Sequence, residues 1–329
     1  MADPTVAVVG ATGLVGRELL GVLEQRGFPI GDLRLYSSLR SAGEGLSCGK
    51  HVPVVRVLDG ASFDDVDLVF LAAGEQVTAE WISRLEQSPA VVVDCSQLFA
   101  DDPDVPLVVP EVNASDLADF RLRGIVASPD PATIALAVAL NPIRENAGLQ
   151  RVVATSIEPA SGIGRAGIEE LQRQTVDLMQ GRSPEHASFP HRIAFNLFPQ
   201  IGELLAGGSS KDEAITAASL RRVLDHPDLV ASITRVRAPL FFGQALSVFV
   251  ETVEPMAEED VAAVLRSAPG LVLPEGLEGG TYPTPADVVG EDATFIGRIR
   301  VDAALGTIDL WAVVDSVRKG AAVNAVQIA

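Results

Sequence analysis

Through the first third of the chain, short apolar runs alternate with helix-spaced patterns or glycine-rich turns. "TVAVVG" (5–10), "LRLYS" (33–37), "VDLVFLAAG" (66–74), "AVVVD" (90–94) and "GIVAS" (124–128) are dense in Val, Leu and Ile and predict strands. The intervening spacing predicts helices over 14–26 and from about Thr78 to Leu85. Strands that are apolar on both faces belong inside a parallel sheet covered by helices, so this region predicts a doubly wound α/β unit. The Pro- and Asp-rich segment "DDPDVPLVVPEVNASDL" (101–117) predicts a loop crossing the surface.

The texture changes after residue 128. "ASPDPATIALAVAL" (127–140) predicts a helix that Asp130 can cap and that Pro131 opens at its first position, where a missing N–H costs nothing. Alternating patterns then predict strands over 151–159, 230–238, 245–253, 294–301 and 307–314, with helices over about 165–180, 211–225 and 256–268. This is the pattern of a second, α+β domain. The closing "KGAAVNAVQIA" is helical with one apolar face and is expected to pack back on the first domain. The predicted organisation is a first domain over 1–128 joined by 315–329, a second over 129–314, and hinges near Ser128 and Val314.

Composition narrows the function. A chain of 329 residues can bury a large core, and 47% hydrophobic with only 5% aromatic residues means an aliphatic one. A net charge of −19, spread along the chain, argues against nucleic-acid and anionic-membrane partners. No apolar run reaches the ~20 residues of a spanning helix. Cys48 and Cys95 form no disulfide framework, the four histidines show no metal spacing, and the acidic start "MADPTVAVVG" lacks a basic leader. These features predict a cytoplasmic protein without a metal.

"VAVVGATGLVGRELL" sets Gly10, Gly13 and Gly16 between a strand and a helix. Such spacing turns the chain tightly and brings a pyrophosphate close to backbone N–H groups at a helix N-terminus. The same glycines would also serve close helix-sheet packing alone. At the end of the second strand, "YSSLRS" offers Ser37, Ser38, Arg40 and Ser41 in place of the acid that holds the ribose of NAD. Hydroxyls with a guanidinium suit the 2′-phosphate of NADP, although the stretch alone also reads as a polar loop with an exposed Arg.

Eight blocks in order, "GATGLVGREL", "SLRSAGEG", "DPDVPLVVPEVN", "SGIGRAGIEEL", "IAFNLFPQI", "VRAPLFFGQALSVFVE", "YPTPADVVGEDATFIGRIR" and "KGAAVNAVQIA", resemble the aspartate-β-semialdehyde dehydrogenases over nearly the whole chain. The resemblance implies an N-terminal Rossmann-type NAD(P)-binding domain, an α+β catalytic and dimerisation domain, a homodimer, and an NADP-dependent oxidoreductase of amino-acid biosynthesis. It also implies cofactor contacts from Gly10, Thr12, Gly13, Leu14, Val15, Gly16, Ser37, Ser38, Arg40, Ser41 and Asn324. In that family a cysteine at a helix N-terminus attacks the acyl carbonyl, a histidine moves protons, and the nicotinamide carries the hydride.

The reacting positions depart from the family pattern. The nucleophile position falls on Pro131, which has neither a nucleophilic side chain nor an N–H. The histidine position is Gln244, which cannot titrate near neutrality. A family glutamine is Glu158, the phosphate-holding arginine is Ala100, and a substrate-side glutamate and lysine are Ser219 and Arg222. Arg237 matches the arginine that clamps the substrate carboxylate, though it also reads as a strand arginine sharing a face with Arg235.

The expected protein is therefore a usg-type homologue that keeps the dimeric scaffold and NADP(H) binding without the phosphorylating dehydrogenase activity. Its former active site would be open to a small-molecule ligand, and it would pair with itself or with an active paralogue. Two alternatives keep an enzyme. One relocates the thiol to Cys95, which also reads as a small buried hydrophobe; the other transfers hydride directly to a carbonyl held by Arg237, with Glu158 as acid or base.

Overall fold

A computed structural model of the protein describes residues 2–274 and 281–329. The chain divides into two compact units, residues 1–130 with 321–329, and residues 131–320. The divisions fall at 130 and 320 rather than near 128 and 314. Residues 315–320 stay with the second unit because Asp315 accepts N–H bonds from Gly290, Val317 and Arg318 there.

The first unit is built on β1 (Thr5–Val9), β2 (Asp32–Ser37), β3 (Arg56–Val57), β4 (Leu68–Leu71), β5 (Val91–Asp94) and β6 (Ile125–Ala127). They form a parallel sheet in the order β3-β2-β1-β4-β5-β6. The order reverses between β1 and β4, the point at which such sheets take ligands at their carboxyl ends. Helix α1 (Leu14–Gln25) buries Leu19, Leu20, Val22 and Leu23 against Val6, Val8, Leu33, Leu35 and Phe70. Helix α2 (Glu75–Leu85) begins three residues earlier than the spacing suggests, because the strand ends at Leu71 and Gly74 already stands at the N-cap.

Residues 101–117 are not a surface loop. Val105, Leu107, Val108 and Val109 are buried, Leu107 bridges to Ala127 beside β6, and Pro110–Asn113 forms the short helix α3, followed by a 3₁₀ segment over Ala114–Leu122. The prolines and aspartates flank an apolar "VPLVV" core that outweighs their turn preference.

The second unit opens with helix α4 (Pro131–Ala147), nearly all of it buried. It lies on a mixed sheet of β7 (Leu149–Glu158), β8 (Val230–Arg237), β9 (Gln244–Thr252), β10 (Leu271–Val272), β11 (Thr294–Asp302) and β12 (Thr307–Val314), ordered β10-β11-β12-β9-β7-β8. Helices α5 (Arg165–Met179), α6 (Lys211–Val223) and α7 (Glu258–Ser267) complete it, and α6 and α7 pack with α4 on the same side. Ser210 and Glu213 form a reciprocal capping box at the start of α6. A π-helical turn over Arg318–Val323 leads into α8 (Asn324–Ile328), which packs on α1, α3 and β5 of the first unit. Among the described residues no helix is long and apolar enough to cross a membrane.

Candidate functional site

In the first unit, the turn from β1 to α1 is built around Gly10, whose φ of +85° lies in the left-handed region. A Cβ there would sit 2.5 Å from the Ala72 carbonyl oxygen, and one at Gly16 only 2.3 Å from the Gly10 oxygen. Both glycines are therefore required by the packing of loop and helix, whatever binds. Gly13 is the N-cap of α1 and supplies no side-chain cap, so the first-turn N–H groups of Leu14, Val15 and Gly16 are left to an external acceptor.

The Thr12 hydroxyl lies 2.7 Å from the Ser37 Oγ and donates to the Ser41 Oγ at 3.2 Å, so the glycine loop and the end of β2 meet. Ser38 caps a 3₁₀ turn that carries Arg40 outward, exposed and without a polar partner among the described residues. A helix start bare of caps, three hydroxyls and a free guanidinium together suit a phosphorylated dinucleotide. Asn324 is buried on α8, and its Nδ2 donates to the Val108 carbonyl and the Ser128 hydroxyl. Its Oδ1 has no hydrogen-bond partner among the described residues.

In the second unit, Pro131 stands at the first position of α4. Gly320 fits closely against it, since a Cβ on Gly320 would come within 2.6 Å of the Pro131 Cβ. Strands β7 and β8 are parallel and pair Ser156 with Arg235 and Glu158 with Arg237. Side chains two apart share a face, so these four residues converge. Glu158 Oε1 accepts from Arg235 Nε at 2.5 Å and from the Ser156 hydroxyl at 3.1 Å. Gln244, first residue of β9, donates its Nε2 to the Ser156 Oγ at 2.8 Å, and Arg235 Nη1 reaches Thr216 Oγ1 on α6.

Arg237 donates to the Pro159 carbonyl at 2.6 Å and lies 3.7 Å from Glu158 Oε2. Its acid neighbour is itself buried. Burial lowers the Arg237 guanidinium from its usual range, and Glu158 opposes that shift. Gly162 lies directly beneath it, where a Cβ would stand 2.3 Å from Nη1. Ser219 and Arg222 occupy the end of α6, Ser219 wholly buried. Ala100 lies buried in the first unit.

Ser156 and Thr216 were not singled out from the sequence. The two-residue alternation of 156/158 against 235/237 is the signal that could have found Ser156, whereas Thr216 meets Arg235 only through the placement of a helix. Cys95 follows β5 and is half-buried. Burial, with Asp94 beside it, pushes its thiol far above the usual range, the opposite of what a nucleophile needs.

Comparison with known proteins identifies the lineage. Residues 5–120 match the semialdehyde dehydrogenase NAD-binding domain and residues 140–319 the semialdehyde dehydrogenase dimerisation domain. The aspartate-semialdehyde dehydrogenase of Aquifex aeolicus is 41% identical over 327 residues, covering 98% of this chain and 96% of that protein. The crystal structure of aspartate semialdehyde dehydrogenase II from Vibrio cholerae, complexed with ASA, superposes with a TM-score of 0.96 at 38% identity, covering 100% of this chain and 97% of that one. An enzyme from Candida albicans solved with NADP shares the fold, at a TM-score of 0.74 and 20% identity over 99% of this chain and 97% of that one. The chain belongs to the aspartate-semialdehyde dehydrogenase family.

Proposed function

We propose that this member of the family keeps the homodimeric scaffold and NADP(H) binding but not the phosphorylating dehydrogenase activity, as in the usg-type branch. The carrying observation is the start of α4. A family nucleophile would stand where Pro131 supplies neither a thiol nor an N–H, and Gly320 packs against the ring. The proton-transfer position is filled by Gln244, whose amide is engaged with Ser156 in the group that contains Glu158 and Arg235.

NADP is favoured as the nucleotide because the end of β2 offers Ser37, Ser38, Ser41 and the exposed Arg40 and no carboxylate side chain. When bound, NADP would supply a hydride acceptor; this chain's own part would be to hold its phosphates at the α1 N-terminus and Thr12. The former active site in the second unit would take a small ligand through Arg237 or Arg222. Neither enzymatic alternative gathers support from the geometry. The Cys95 thiol is held protonated by its surroundings, and Glu158 is committed to Arg235 and Ser156.

The test is NADPH formation from aspartate semialdehyde, phosphate and NADP, at protein concentrations far above catalytic, beside a Pro131→Cys/Gln244→His double variant. No gain in nicotinamide absorbance is expected from the natural chain, while equilibrium dialysis registers bound NADP. Steady turnover by the natural chain overturns the reading.

A further inference from the structure

Thr12 joins the glycine loop to two other parts of the first unit. Its hydroxyl donates to the Ser41 Oγ at 3.2 Å and lies 2.7 Å from the Ser37 Oγ, while its carbonyl accepts the Arg17 Nε–H at 3.2 Å. Arg17 is the fourth residue of α1, with its backbone N–H on the Gly13 carbonyl. Its guanidinium therefore folds back over the helix start, the end at which an anion meets N–H donors.

Arg17 already has an anion there. Its Nη2 donates to Glu44 Oε1 at 2.5 Å, and the Glu44 N–H donates to the Ser41 carbonyl at 3.3 Å. Ser41, Thr12, Arg17 and Glu44 thus close a ring of hydrogen bonds. The backbone of Glu44 is itself fixed. The Gly43 N–H donates to the Val55 carbonyl at 2.9 Å and the Val55 N–H to the Glu44 carbonyl at 2.8 Å, with Val55 buried. Gly43 takes a φ of +88° in this turn, a conformation that glycine adopts freely.

The charge at this turn is divided. Three hydroxyls and Arg40 suit a phosphate dianion, yet a carboxylate is held beside them and engages the second guanidinium of the neighbourhood. The side chains of Arg17 and Glu44 are 37% and 40% exposed, so their pair contributes little to stability and separates at small cost. Neither Arg17 bond uses Nη1, which leaves that end of the fork for another acceptor.

We propose that Arg17 is a second guanidinium for the 2′-phosphate of NADP and that Glu44 competes with the phosphate for it, so that Glu44 sets how strongly this chain prefers NADP to NAD. This rests on the reading of the turn after β2 as an NADP site. A phosphate dianion attracts a guanidinium more strongly than a carboxylate does, and Arg17 can hand over Nη2 while Nε stays on the Thr12 carbonyl. The carboxylate left behind then lowers the preference that it no longer blocks.

Adenosine 2′,5′-bisphosphate and AMP differ only by the 2′-phosphate, so their dissociation constants, from calorimetric titration of the full chain, isolate this subsite. Glu44→Gln is expected to tighten the bisphosphate about threefold to tenfold and to leave AMP binding and the melting temperature unchanged, the gain shrinking as salt is raised. Arg17→Met should weaken the bisphosphate about tenfold and AMP less than about twofold. In that background Glu44→Gln should no longer tighten the bisphosphate.

Equal losses of both nucleotides in Arg17→Met overturn the proposal, since Arg17 would then only brace the loop. So does a gain from Glu44→Gln that persists without Arg17, because Glu44 would then act on the phosphate directly. A natural chain that binds the bisphosphate no tighter than AMP overturns the NADP reading. With that result the proposal survives if Glu44→Gln creates the preference and falls if it does not. Where the natural chain does prefer the bisphosphate, a Glu44→Gln variant that binds it no better overturns the proposal alone.

Discussion

Asp94 ends β5 in the interior of the parallel sheet and is fully buried. One carboxyl oxygen accepts the Ser96 N–H at 3.0 Å, while the other has no partner among the described residues. Burial is the chief cause that pushes this carboxyl up from its ordinary 3.8 to about 6, with the negative charge of Glu75 adding to it and the bonds from Ser96 opposing it. The folded state thus holds the proton more tightly than the unfolded chain does. Stability from this group is fully present below pH 3.8 and is lost as pH rises through about 6.

The displacement corresponds to ~3 kcal/mol at about 1.4 kcal/mol per pH unit. About half of that is lost above roughly pH 5 by the same linkage relation, clear of the isoelectric region near 4.5 where the chain would lose solubility. Asp94→Asn is isosteric and cannot ionise. Urea unfolding of the natural chain and the variant from pH 5 to 8 is therefore expected to show the variant becoming relatively more stable, by about 1.5 kcal/mol over that interval. Titrating groups that do not interact with Asp94 cancel in the difference. A stability difference that stays flat with pH, or falls, refutes the assignment of a raised proton affinity to Asp94. A carboxyl kept at this cost, at the carboxyl end of a parallel strand, lies where ligands of such sheets bind.

Two further outcomes test the interior of each unit. Asn324→Ala removes two buried hydrogen bonds and strands the Val108 carbonyl and Ser128 hydroxyl, which should cost about 2–3 kcal/mol and raise amide exchange selectively in α8; unchanged exchange there would contradict the clamp. Glu158→Ala leaves Arg235 buried without its carboxylate and should destabilise by about 3–5 kcal/mol in denaturant unfolding, whereas Glu158→Met with Arg235→Met should recover only part of that loss, because Arg237 stays buried without its acid neighbour.

The sheet of the first unit was legible because its strands are runs of Val, Leu and Ile bounded by glycine, and the glycine loop was legible because close approach admits no other residue at Gly10 and Gly16. The segment 101–117 was misleading: its Pro and Asp residues announce turns, yet "VPLVV" is carried into the core by pairing with β6. The two-residue strands β3 and β10 give no periodicity to detect. At the candidate site, Pro131, Glu158 and Gln244 were visible as departures from a family pattern, but the hydrogen bonds that link Glu158 to Gln244 through Ser156 were not. Those depend on the parallel register of β7 and β8 and on the antiparallel approach of β9, and register is a long-range property.

That register joins Glu158 and Gln244 through one hydroxyl. A neutral glutamine at 158 would leave Arg235 Nε facing an amide oxygen in a dry interior, and the carboxylate present instead neutralises it and faces Arg237 as well. Once a carboxylate is fixed there, the Ser156 hydroxyl donates to it and offers its lone pair to position 244, where an amide N–H meets it without any change of charge. Ser156 thus joins Glu158 to Gln244, and the Glu158 carboxylate faces both buried arginines. On the function proposed above, with no base at 244 a thiol at the start of α4 would have nothing to activate it, and Pro131, which stands there, begins a helix well.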